Sequence, residues 1–157
     1  MLKIKFIVVD RTRSSFLREG EAFYLKRLKR YAQIEWIEVK PARIKKGKTK
    51  QDILETEGRS IARRLNSRDY LVALDRSGHE YDSEGLASLL KSLSTSVRGW
   101  VCFVIGGPTG LSKDISDQAD KILSLSRLTL THEMSRLFLV EQIYRAFTII
   151  EGHKYHR

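Results

Sequence analysis

The sequence predicts an α/β fold built on a parallel-rich sheet flanked by helices, and three observations carry that prediction. Strand-like and helix-like hydrophobic patterns alternate along the chain. Two short segments, residues 70–74 and 100–105, are apolar at every position, as central parallel strands buried on both faces are. A glycine turn, Gly106-Gly107-Pro108-Thr109-Gly110, follows the second of them and leads into a helix.

Taken in order, residues 2–9 alternate Lys3 and Lys5 with apolar side chains, which reads as a strand ending at Asp10. That stretch lacks the continuous apolar core of a secretion signal. Ser14 or Ser15 caps a helix to about Tyr31, with Phe16, Phe23, Leu25 and Leu28 as its apolar contacts. Residues 34–39, around Ile34, Trp36 and Ile37, form a second strand. Residues 41–50 combine Pro41, Gly47 and four lysines, Lys45, Lys46, Lys48 and Lys50, and read as a mobile basic loop. Thr49 or Gln51 opens a helix carrying Ile53, Leu54, Ile61 and Leu65. The strand at 70–74 ends in a turn at 75–78, and Ser83 starts a helix through Leu86, Leu89, Leu90 and Leu93. A short helix from Ser112 follows the glycine turn, then the stretch 122–130, then a long helix from about His132 to Glu151. Ligands in such sheets bind beyond the carboxyl ends of the strands, which directs attention to 74–78 and 106–110.

With 157 residues the chain has the length of one domain, residues 1–157, and 41% hydrophobic residues suffice for a packed core. No apolar run approaches the roughly 20 residues that cross a bilayer. The single cysteine, Cys102, lies in an apolar run and reads as buried. A soluble cytoplasmic protein is expected. The net charge of +10 is unevenly held: residues 1–68 contain 19 Lys and Arg against 8 Asp and Glu, and the remainder 10 against 11. One-sided positive charge of this density favours a polyanion, most plausibly nucleic acid, over a surface kept basic for solubility.

The glycine turn is neither a Walker A loop nor Gly-x-Gly-x-x-Gly, and Asp114 at the following helix start repels a pyrophosphate. A ligand there offers few phosphates and a flat surface, such as a nucleoside; a plain strand-to-helix corner is the equal alternative. Leu125, Ser126, Arg127, Leu128, Thr129 and Leu130 provide backbone groups and an apolar floor suited to an adenine ring. By itself that stretch reads more simply as a strand with alternating faces. On the last helix Leu139, Val140, Ile143, Ala146, Phe147 and Ile150 make an apolar face wider than a sheet requires, so part of it is expected to meet another subunit. Glu141 and Arg145 form an i,i+4 pair. His132 and Arg136 project together at the helix start, as either functional groups or a cap and a surface salt-bridge partner. The ending His153-Lys154-Tyr155-His156-Arg157 reads as a frayed terminus or as groups that stack on and hold a nucleotide. No cysteine or carboxylate cluster completes a metal site with its histidines.

Together, the 75–78 turn after a buried strand, Val104-Ile105-Gly106-Gly107-Pro108-Thr109-Gly110, residues 125–130 followed by His132, Glu141-Gln142-Ile143-Tyr144-Arg145-Ala146 and the Tyr155-His156-Arg157 ending resemble the ribosomal RNA large subunit methyltransferase H family. The resemblance covers essentially the whole chain. It implies a SPOUT-class α/β fold with a C-terminal trefoil knot, a topology that periodicity cannot reveal. It further implies an S-adenosylmethionine-dependent homodimer that methylates N3 of a pseudouridine in large-subunit ribosomal RNA of assembled ribosomes. On this chain the implied cofactor contacts are Leu74, Gly106 and Leu125 to Leu130. Tyr155, His156 and Arg157 would reach the partner subunit's cofactor. Thr131 stands where many relatives have proline.

For the chemistry, His132 or His156 is expected to accept the imide proton, and Arg136 and Arg157 to stabilise the developing charge. A basic surface along the 45–50 loop, Arg59, Arg63 and Arg64 is expected to hold RNA phosphates. The alternatives are a non-catalytic ribosome- or RNA-binding protein, or a SPOUT methyltransferase acting on transfer RNA. A metal-dependent nuclease lacks its clustered carboxylates.

Overall fold

The computed structural model describes residues 1–156. Its strands are β1 (Leu2–Val9), β2 (Ala32–Val39), β3 (Tyr70–Glu80), β4 (Val101–Ile105) and β5 (Lys121–Ser124). They form one sheet in the order β2-β1-β4-β3-β5, parallel at every pairing. The helices are α1 (Ser15–Leu28), α2 (Lys50–Ala62), α3 (Ser83–Ser96), α4 (Lys113–Gln118) and α5 (His132–Ile150), with a 3-10 turn at Lys154–His156.

Period-two alternation divides the strands between two cores. Phe6, Val8 and Phe103 pack with Leu28 of α1, Leu90 of α3 and Ile143 of α5 on one face. Ile7, Val9 and Val104 pack with Ile61 of α2 and Ile115 of α4 on the other. β1 and β4 are neighbours, yet their chains leave in opposite directions: β1 through α1 to the edge strand β2, β4 through α4 to the opposite edge, β5. The carboxyl ends of β1 and β4 therefore flank a topological switch point, where open α/β sheets open a binding crevice.

Two sequence expectations change in detail, and one is borne out with an addition. β1 is the strand expected, and it lies inside the sheet with Lys5 buried. The Lys5 ammonium donates to the Arg64 carbonyl at 3.2 Å, lies 3.9 Å from Asp69 and sits over the Trp100 ring. The turn at 75–78 is an excursion within β3, whose pairing with Leu123 shifts from Leu74 to His79. Strand structure in the 122–130 stretch ends at Ser124, and residues 125–130 leave the sheet as irregular backbone. Cys102 is buried as expected; desolvation, with Asp69 beside it, pushes its thiol up to about 12, far from a reactive thiolate. Among the described residues no helix is long and apolar enough to cross a membrane.

Candidate functional site

The loops leaving β1, β3, β4 and β5 all emerge at one edge of the sheet, because every strand is parallel. At the centre is the glycine turn. Gly106 and Gly107 are buried, Gly110 has φ +88°, and its N–H donates to the Gly107 carbonyl at 3.0 Å. A Cβ on Gly106 would lie 2.4 Å from the Gly110 carbonyl oxygen, so only glycine permits the backbone to fold back there. Thr109 Oγ1 is buried in this turn without a hydrogen-bond partner among the described residues.

Leu74 ends the regular part of β3, half-buried, and the excursion after it reaches the 125–130 segment. Arg76 Nη1 donates to Thr129 Oγ1 at 2.6 Å, and Ser77 Oγ donates to Asp75. Leu125, Ser126 and Leu130 are half-buried while Arg127, Leu128 and Thr129 are exposed. The Ser126 hydroxyl accepts the Leu128 N–H at 3.0 Å and tightens the bend. The expected cofactor residues thus sit on three loops at one sheet edge. A close-approach glycine, an orphaned hydroxyl and half-buried leucines suit a nucleoside.

Thr131 begins α5 well. Its Oγ1 accepts the Met134 N–H at 3.1 Å, a side-chain N-cap. His132 follows, partly buried, with burial first and then the Arg136 charge pulling its pKa down. One turn on, Arg136 has no solvent-accessible surface. Its Nη2 donates to the Val9 carbonyl at the end of β1, and its Nη1 to Thr12 Oγ1 at 2.9 Å. Thr12 in turn donates to the Glu21 carboxylate at 2.7 Å. Expected as a charge stabiliser at the substrate, Arg136 instead lies beneath the β1–α1 loop.

Tyr155 and His156 lie in the 3-10 turn that follows α5 and pack against a later stretch of that helix. Tyr155 folds back so that its hydroxyl donates to Glu141 Oε1 at 2.9 Å, under the Arg145 guanidinium. Arg145 pairs with Glu141 at 2.7 Å, as its spacing predicted, and its Nη1 lies 3.4 Å from His156 Nδ1. Burial and the Tyr24 and Glu141 contacts push the Tyr155 phenol strongly upward, so it stays protonated. Nine helix positions separate His132 from Glu141, about 14 Å along the axis. Within one chain, Tyr155 and His156 do not meet His132; Arg157 lies outside the described residues.

Besides Asp69, two buried carboxylates escaped the sequence reading. Glu21 underlies Thr12, and Glu57 of α2 accepts the Ala42 N–H at 3.0 Å, its other oxygen close to Gly107 and unpartnered. Their signal was helical spacing: Glu21 lies four residues from Leu17 and Leu25, and Glu57 four from Ile53 and Ile61. Residues 43–50 are exposed throughout. No three His, Cys, Asp or Glu side chains among the described residues group to hold a metal ion.

A family model described as "Predicted SPOUT methyltransferase" matches residues 2–156. The chain is 39% identical to a putative ribosomal RNA large subunit methyltransferase H of Methanospirillum hungatei over the full length of both. It is 40% identical to the ribosomal RNA large subunit methyltransferase H of Desulfotalea psychrophila, and 37% to that of Streptococcus sanguinis, covering 99% of this chain and all of each relative. A probable methyltransferase from Bordetella pertussis has the same fold at 15% identity, with a TM-score of 0.56 over 92% of this chain and 96% of that one. Full-length matches at this identity, on a parallel sheet whose glycine turn and β5 loop share one edge, establish that the chain belongs to the SPOUT methyltransferase family, among the ribosomal RNA large subunit methyltransferases H.

Proposed function

We propose that this protein is an S-adenosylmethionine-dependent methyltransferase acting on N3 of a pseudouridine in large-subunit ribosomal RNA, as a cytoplasmic homodimer on assembled ribosomes. The observation that carries this reading is the convergence of Leu74, the Gly106 turn and residues 125–130 on one sheet edge, in a chain whose full-length relatives are named ribosomal RNA large subunit methyltransferases H. In this reading residues 1–157 act as one domain, with the trefoil knot in its C-terminal part.

The fit to the cofactor rests on this chain's own groups. Leu74, Gly106 and residues 125–130 would hold the cofactor: the half-buried Leu74, Leu125 and Leu130 would offer its adenine an apolar surface, and Gly106 would admit a close approach that a side chain would block. The bound cofactor supplies an electrophilic methyl group on a sulfonium. The protein's task is then alignment of the base with that methyl, plus removal of the N3 proton. His132, held neutral by burial and by Arg136, is suited to accept that proton. Tyr155, His156 and Arg157 approach from the partner subunit, which the separation of the tail from His132 within one chain favours. Positive charge on the 43–50 loop, Arg59, Arg63 and Arg64 holds the RNA backbone.

Labelled methyl transfer to free subunits, whole ribosomes and transfer RNA, followed by mapping of the modified nucleotide, tests the reading. Label confined to transfer RNA refutes the substrate. The basic N-terminal half also suits a non-catalytic RNA-binding protein, and calorimetric titration with S-adenosylmethionine separates the two, since that alternative binds none.

A further inference from the structure

Arg136 is the largest fully buried side chain among the described residues, and its guanidinium makes no direct ion pair. Glu21 approaches only through the Thr12 hydroxyl, which accepts from Arg136 and donates to the carboxylate. Nε is buried with no partner among the described residues. An arginine so placed is a poor source of stability, because desolvation opposes its charge and an apolar residue of like volume packs as well. What it does accomplish is geometric. It joins the last residue of β1, Val9, and the middle of the β1–α1 loop, Thr12, to the second turn of α5.

A second residue of α5 acts on the same loop from outside. Glu133 Oε1 accepts the N–H groups of Arg13 and Ser14 at 2.9 and 3.1 Å. Between these anchors Asp10 is the one non-glycine residue of the described chain at positive φ, +68°. Its carboxylate accepts the Arg11 N–H and pairs with Arg13 at 2.8 Å. A side chain in that conformation persists only where its surroundings hold it. Val9 itself faces the glycine turn: a Cβ on Gly107 would lie 3.4 Å from Val9 Cγ1. The clamped loop is thus one wall of the switch-point crevice, and His132 stands on the clamping helix.

We propose that Arg136 is a positioning residue for methyl transfer: it clamps the β1–α1 loop to α5, fixing His132 and Asp10 at the carboxyl end of β1, whose Val9 faces the glycine turn. This rests on the function proposed above. Arg136 touches neither base nor cofactor, and it acts through Val9, Thr12 and His132. The charged groups facing His132 are Arg136 and Glu133 on its own helix and Asp10 on the loop packed against it. Arg136 opposes protonation of the imidazole while the two carboxylates favour it.

Three variants separate geometry from charge. Thr12→Val keeps the volume and removes the bridge; Arg136→Lys keeps the charge and loses the fork; Arg136→Gln removes the charge. Amide hydrogen exchange at Arg13 and Ser14 reads the clamp, NMR titration of His132 reads the charge, and single-turnover methyl transfer to ribosomes reads the consequence. Thr12→Val and Arg136→Lys are expected to speed exchange at both amides about tenfold or more. They are expected to slow transfer by a similar factor, leaving S-adenosylmethionine affinity within about twofold. Arg136→Gln is expected to raise the His132 midpoint by about half a unit or more, whereas Arg136→Lys leaves it in place. Unchanged exchange in Thr12→Val overturns the clamp. Faster exchange with wild-type transfer rates overturns its role in the reaction. A wild-type protein that methylates no RNA refutes the function instead, and is told apart because exchange and titration need no substrate.

Discussion

Glu133 caps a helix to which it does not belong: its carboxylate accepts the Ser14 N–H at 3.1 Å, 119 positions away in sequence. Ser14 occupies the N-cap of α1, yet its own hydroxyl makes no cap bond and the first turn of α1 holds no acidic residue. One orphan donor at the helix start, the Ser14 N–H, is satisfied from α5 instead. Glu133→Ala is expected to lower stability by about 1 kcal/mol at neutral pH, the usual scale of a lost hydrogen bond. The Ser14 and Arg13 N–H groups hold the Glu133 carboxyl below its ordinary 4.5. A depressed carboxylate stabilises the fold fully above its unfolded value and ceases to as pH falls through the lower folded value. Urea unfolding of wild type and Glu133→Ala is therefore expected to differ most near neutrality and to converge in acid; a pH-independent difference contradicts the cap.

Gly106→Ala tests the turn that positions the cofactor. Its new Cβ meets backbone, the Gly110 carbonyl oxygen at 2.4 Å, and no rotamer relieves that contact. The turn must open, so S-adenosylmethionine affinity measured by calorimetry is expected to fall at least tenfold, about 1.4 kcal/mol or more. Gly110→Ala offers the contrast. It meets no neighbour within 4 Å but forces φ +88° on a side chain, and its cost is expected in melting temperature more than in affinity.

What the sequence revealed and what it hid follow from how far apart the partners lie. β3 and β4 were legible because their own residues are apolar on both faces, and Thr49 and Ser112 because capping is local: each accepts an N–H three residues on. The burial of Lys5 was hidden because its partners, Arg64, Asp69 and Trp100, lie 59 or more positions away. Arg136 read as a charge stabiliser at the substrate or a surface salt-bridge partner, since only the folded chain sets Thr12 and Glu21 against it. The 125–130 segment has no period to read. Arg76 and the end of β5 place it, not its own pattern. Within the site, the glycine turn was legible and the network beneath it was not.

Glu57 gives a prediction of opposite sign to Glu133. Desolvation raises its carboxyl above the ordinary 4.5, more than the Ala42 N–H lowers it. A raised carboxyl costs stability above its folded value, and that cost is relieved as pH falls through it. Glu57→Gln keeps an acceptor for Ala42 without the charge. It is expected to melt no lower than wild type at neutral pH, with any advantage shrinking toward pH 4.5. Glu57→Ala leaves the Ala42 N–H unpartnered and is expected to lose about 1–3 kcal/mol. Melting curves from acid to neutral pH check both, and a Glu57→Gln protein markedly less stable at neutrality would mean that the ionised carboxylate is needed there.

The basic loop permits a prediction whose magnitude counts charges. Lys45, Lys46, Lys48 and Lys50 are exposed, and no described ion pair engages them, so each is free to approach an RNA phosphate. Each contact releases condensed counterions, so affinity falls with salt at about 0.7–0.9 log unit per log unit of salt and per contact. Replacing all four by alanine is expected to flatten the salt dependence of ribosome binding by up to about 3 log units per log unit of salt. The fold and S-adenosylmethionine affinity should hold, because all four side chains are exposed and alanine is compatible with the first turn of α2 at position 50. Binding measured from low to physiological salt decides the matter. An unchanged slope would assign the RNA contact to other parts of the basic half, with Arg59, Arg63 and Arg64 the next group to replace.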